Sequence, residues 1–91
     1  MDEQSVIDFK PRARGMIIGD IPWLARITDK ARARLQERIG DYIYPCPADQ
    51  RWLREMELSP EEFTELVAGC KDDDEVIGKM KAHIAAKGDK G

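Results

Sequence analysis

Apolar residues recur at helical spacing in four stretches of the chain, each bracketed by start or stop signals. Trp23, Leu24, Ile27, Ala31, Leu35 and Ile39 share one stripe and predict a helix over Pro22–Ile39. Asp20 suits its N-cap, Pro22 its first turn and Gly40 its stop. In the second stretch Pro47 reads as the first helical residue and Cys46 as the N-cap, with Trp52, Leu53 and Met56 forming the buried edge. The third opens on Ser59-Pro60-Glu61-Glu62, the pattern of a capping box, and buries Phe63, Leu66, Val67 and Cys70. In the fourth, Asp72-Asp73-Asp74-Glu75 places negative charge where the helix dipole favours it. Val76, Ile77, Met80 and Ile84 continue that helix, and Gly88 ends it.

Outside these stretches the pattern is irregular. Residues 1–19 are punctuated by Pro11, Gly15 and Gly19 and read as an arm, with a short extended piece at Met16–Ile18, packed by Ile7, Phe9, Ile17 and Ile18. The loop Gly40-Asp41-Tyr42-Ile43-Tyr44-Pro45 carries aromatics that should lie against helices. The expectation is an all-α, single-domain bundle of about four helices: an irregular arm over 1–19, a helical core over 20–87 and a fraying tail over 88–91. A core this thin makes a homodimer a further expectation.

Composition narrows the class. With 91 residues, 36% charged and 42% apolar, the chain fits one small globular domain rather than a disordered segment. No apolar run approaches the roughly 20 residues that span a bilayer, and none follows the acidic start at signal-peptide length, so the expected place is the cytoplasm, with no membrane partner. Two cysteines, Cys46 and Cys70, are too few for a disulfide framework, and a lone His83 argues against a metal site. No cofactor is implied. The net charge of −3 is a cancellation. Residues 10–54 hold ten basic and five acidic side chains, whereas residues 55–91 hold five basic and ten acidic.

That division directs attention to the first helix. Arg26, Lys30, Arg34 and Arg38 are spaced by four and predict a basic ridge beside the apolar stripe, with Asp29 and Arg32 able to pair on the other flank. Such a ridge suits an acidic protein or a small anionic ligand; the plainer reading is a solvated helix whose long stems cover the core. Nucleic acid is not the expected partner, because the chain is acidic and carries no recognition-helix signature. Cys46, between two prolines at a helix start, is a weak candidate catalytic thiol. Asp49 at the same terminus opposes a thiolate, and the plainer reading is a buried structural cysteine. Tyr42 and Tyr44 alternate about Ile43 and could frame a small pocket with a cation of the ridge, or simply pack on the core. His83 reads as an edge histidine, and the run Asp72–Glu75 as capping rather than cation binding.

Three blocks carry a resemblance. Leu24-Ala25-Arg26-Ile27-Thr28-Asp29-Lys30-Ala31-Arg32-Ala33, then Gly40-Asp41-Tyr42-Ile43-Tyr44, then Cys46-Pro47-Ala48-Asp49 resemble the small bacterial proteins grouped as domain of unknown function 5069. Leu58–Phe63 and Asp73–Val76 are similar to that family's closing segments, and the likeness spans roughly residues 19–80. It implies no established activity. It implies that Arg26, Asp29, Lys30, Arg32, Tyr42, Cys46 and Asp49 occupy motif positions. The expectation is that two motif blocks, the Arg26–Arg32 face of the first helix and the Tyr42–Asp49 loop and helix start, meet, with Asp49 or Asp29 bridged to Arg26, Lys30 or Arg32. The functional expectation is a non-enzymatic binding or interaction module using the basic ridge, with Arg26, Asp29, Lys30, Arg32, Arg34, Tyr42, Tyr44 and Asp49 as the partner-binding set. The alternative is a thiol-dependent enzyme or redox sensor centred on Cys46.

Overall fold

The computed structural model describes residues 10–40 and 42–89. The elements run β1 (Ile17–Ile18), β2 (Ile21–Pro22), α1 (Leu24–Leu35), α2 (Pro47–Glu55), α3 (Pro60–Ala68) and α4 (Asp73–Asp89). The four expected helices are present, and the one addition is a two-stranded antiparallel ribbon pairing Ile17 with Pro22 and Ile18 with Ile21.

That ribbon corrects the start of the first helix. Gly19 and Asp20 both take positive φ, 56° and 63°, as the two central residues of a tight hairpin turn must. Asp20 is therefore a turn residue rather than an N-cap, and Pro22 belongs to β2. The helix starts two residues later, after Trp23, which takes a left-handed φ of 73° and makes no side-chain cap. Gly19 has a second reason to lack a side chain: a Cβ there would collide with Ile77 of α4.

α1 also ends earlier than its stripe suggests. The Glu37 N–H donates to the Arg34 carbonyl at 3.1 Å and the Arg38 N–H to the Ala33 carbonyl at 2.9 Å, with Glu37 left-handed at φ 56°. This is a Schellman stop built on glutamate instead of glycine. The same motif ends α2, where Glu57 at φ 60° donates to Arg54 and Leu58 donates to Leu53. The starts of α2, α3 and α4 match expectation. Cys46 Sγ accepts the Asp49 N–H while the Asp49 carboxylate accepts the Cys46 N–H, and Ser59 and Glu62 do the same for α3. Asp72 accepts the Glu75 N–H at 3.0 Å at the start of α4.

The core forms where the four stripes face one another. Leu24, Ile27 and Ala31 of α1 meet Trp52 and Leu53 of α2, Phe63 and Val67 of α3, and Val76 and Met80 of α4. Trp52 meets the edge of Phe63 at 5.6 Å between ring centres and donates its indole N–H to the Pro22 carbonyl at 3.0 Å. Tyr44 is buried, as expected of the aromatic loop, but Tyr42 and Ile43 are exposed, so the two tyrosines do not frame one pocket. Ile18 packs on the core while Ile17 faces outward; Ile7 and Phe9 lie outside the described residues.

Candidate functional site

Two polar networks converge on α1. The first is sealed. Asp49 stands at the third position of α2, where the capping box turns its carboxylate back toward the helix start and the middle of α1. Its Oδ1 accepts the Trp23 indole N–H at 2.8 Å, and its Oδ2 accepts the Lys30 ammonium at 3.0 Å and the Cys46 N–H at 3.0 Å. Asp49 is fully buried and Lys30 is 3% exposed. Lys30 spends its remaining donors on the Ile43 carbonyl at 3.2 Å and Cys46 Sγ at 3.6 Å. A buried charge needs a partner and full hydrogen bonding, and each member here has both. The two motif blocks do meet, in a closed arrangement.

The second network lies nearer the surface and uses a residue that the sequence pattern did not single out. Arg12 Nε and Nη2 grip the Asp29 carboxylate at 2.9 Å each, and Arg12 Nη1 reaches Asp73 Oδ2 at 2.8 Å. Arg32 Nη1 takes the other oxygen of Asp73 at 2.8 Å, and Arg26 Nη1 donates to the Arg12 carbonyl at 3.1 Å. The arm, α1 and the start of α4 are thereby tied at one point. The Arg12 hydrogen bonds hold the Asp73 carboxyl below its ordinary range, part burial opposes this, and Arg32 adds to the pull. Hydrogen bonds to Asp29 and Asp73 in turn raise Arg12 further above its ordinary value.

These contacts correct the basic ridge. Lys30 is interior, Arg26 is half-buried against the arm, and the Arg38 backbone belongs to the turn after α1. The ridge assumed a helix continuing to Ile39 with its cations in solvent; instead the helix stops at Leu35 and α2 covers Lys30. Asp29 and Arg32 do not pair with each other, because Arg12 and Asp73 offer each a better-placed partner. No sequence spacing could reveal these pairings, which span 17, 61 and 41 positions. The acidic run divides its work: Asp72 caps α4, while Asp73 receives the arginines.

Arg34 stays exposed, its Nη1 donating to the Tyr44 carbonyl at 3.3 Å. It stands beside an open cleft of about 340 Å³ walled by Leu35, Tyr44, Pro45, Pro60 and Thr64, with Glu61 and Glu65 on the α3 side. The Tyr44 hydroxyl is fixed by Thr64 Oγ1 at 2.7 Å, and burial pushes its pKa up while that bond pulls it down. A second cleft of about 380 Å³ shares Leu35 and Ala68 with the first. Arg32, Gln36 and Lys71 line it, and no acidic residue does. Leu35 is 47% exposed between the two.

Cys46 is half-buried, with its sulfur receiving the Asp49 N–H at 3.4 Å and facing Lys30. His83 Nε2 donates to the Met56 carbonyl at the C-terminal cap of α2. The described residues contain no helix long and apolar enough to cross a membrane.

Comparison with the curated proteins finds no match. The family model of a domain of unknown function (DUF5069) matches residues 9–90, which takes in the arm with Arg12 and every helix described above. The chain belongs to the family of this domain, DUF5069.

Proposed function

We propose that the protein is a non-enzymatic binding module for a small anion with an apolar body, and that recognition falls on the seam between α1 and α3. The observation that carries this reading is the pair of clefts sharing Leu35 and Ala68, one walled largely by apolar groups and one that adds Arg32, Gln36 and Lys71 to Val67 and Cys70. Clefts of a few hundred Å³ with convergent polar groups suit small ligands. An apolar body would lie against Tyr44, Pro45 and Pro60, and the anionic head would take Arg32 and Lys71. Arg32 lines the second cleft with its guanidinium oriented by Asp73 through Nη1, while Nη2 is buried without a hydrogen-bond partner among the described residues. Lys30, Asp49, Asp29 and Arg26 are then the frame on which the seam is built. A catalytic thiol is less well supported, because Lys30 is committed to Asp49 as a counter-ion and His83 is engaged at Met56.

Amide chemical-shift mapping tests this, with octanoate as the probe and octanol as its uncharged counterpart. Saturable shifts over residues 32–36, 44–45 and 60–71 with octanoate, weaker with octanol and reduced in Lys71→Gln, are expected. No saturable shift with octanoate, or shifts spread over the whole chain, would overturn the reading.

A further inference from the structure

The contact between Lys30 and Cys46 has a chemical consequence independent of ligand binding. We propose that the two side chains form a covalent nitrogen–sulfur cross-link when the protein meets hydrogen peroxide. Three observations carry it. The amine lies 3.6 Å from the sulfur and is held there by the Ile43 carbonyl and Asp49, so the two atoms are already neighbours. Cys46 is half-buried rather than sealed, whereas Lys30 beside it is 3% exposed. A proton acceptor is in place, because Asp49 Oδ2 is 3.0 Å from the same nitrogen.

The steps balance. A sulfur lone pair attacks one peroxide oxygen, the O–O bond breaks, and the second oxygen leaves as water with the thiol proton. Cys46 is then a sulfenic acid, oxidised by two electrons, and the peroxide is reduced. Lys30 passes one proton to Asp49, and its freed lone pair attacks the sulfur. The S–N bond forms, the S–O bond breaks, and hydroxide leaves as water with a second amine proton. The products are a sulfenamide, a protonated Asp49 and two waters. The buried site begins as a paired cation and anion and ends uncharged, so no isolated charge is stranded in the interior. The link joins α1 to the start of α2 across 16 positions. Condensation with a nearby nitrogen also diverts the sulfenic acid from irreversible further oxidation.

Stoichiometric peroxide followed by intact-mass analysis and tryptic mapping provides the test. The expected product is lighter by about 2 Da, the loss of two hydrogens. It carries a Lys30–Cys46 cross-linked peptide, resists trypsin after Lys30 and reverts with a thiol reductant. The same loss persists in Cys70→Ser, which removes the competing intramolecular disulfide, and disappears in Cys46→Ser. Added oxygen on Cys46 with Lys30 still cleavable, a Cys46–Cys70 disulfide in the wild-type map, or an unmodified thiol would overturn the proposal.

Discussion

Lys30 Nζ lies 3.0 Å from Asp49 Oδ2, with side-chain exposures of 4% and 0%, and this contact ties the middle of α1 to the start of α2. Its burial decides how the motif is understood. A charge that a ligand must reach cannot also be covered by α2, so the pair builds the fold. The pair also positions its neighbours. Asp49 caps α2, which sets Cys46, and Lys30 holds the Ile43 carbonyl, which leads the chain into Tyr44 and the first cleft.

Trp23→Phe tests how completely Asp49 depends on its donors. The phenyl ring fills most of the indole's place but leaves Oδ1 without its 2.8 Å partner. An unsatisfied buried acceptor costs about 1–3 kcal/mol, read as a lower urea midpoint with an unchanged slope. A midpoint equal to wild type would mean that the indole hydrogen bond contributes nothing.

The Asp73 cluster predicts a dependence on acid. Its folded-state pKa is depressed, so its stabilisation is fully present above the ordinary aspartate value and is lost as pH falls through the folded value. Arg12→Met removes the largest cause of the depression. Between neutral pH and the acid limit, the wild type should therefore lose more stability than Arg12→Met, with the two curves converging at low pH. Parallel curves would contradict the assignment.

Two helix stops are built on glutamate where glycine is preferred. Glu37→Gly and Glu57→Gly should each stabilise the protein by about 0.5–1 kcal/mol, because a side chain at left-handed φ is strained and glycine is not. Gly19→Ala should act in the opposite sense, since it combines the same strain with a collision against Ile77. Thermal melts of the three variants give the signs directly.

Local signals in the sequence carried much of the fold. The proline-started helix starts at Cys46 and Ser59 and most of the four apolar stripes depend on neighbours within a few residues, and they appear where the spacing puts them. The hairpin was hidden because Asp20-Ile21-Pro22 also satisfies the pattern of a helix start, and only the positive φ of Gly19 and Asp20 separates the two. The end of α1 was hidden because a glutamate does what Gly40 was expected to do. That residues 26–32 meet residues 42–49 was legible in the sequence, but the choice of Lys30 with Asp49 among the possible acid–base pairs was not. The role of Arg12 was not, since an arginine after Pro11 looks like any solvated charge until α4 brings Asp73 beside it.

Lys30 and Asp49 act as one buried unit, and a double-mutant cycle of Lys30→Met and Asp49→Asn measures this directly. Asparagine removes the charge and keeps one of the two acceptor oxygens, so it can serve either Trp23 or the Cys46 N–H. Each single variant should lose about 3–5 kcal/mol by leaving its partner buried and uncompensated, and the double variant should be more stable than either. Additive losses below about 1 kcal/mol, as for an exposed ion pair, would contradict it.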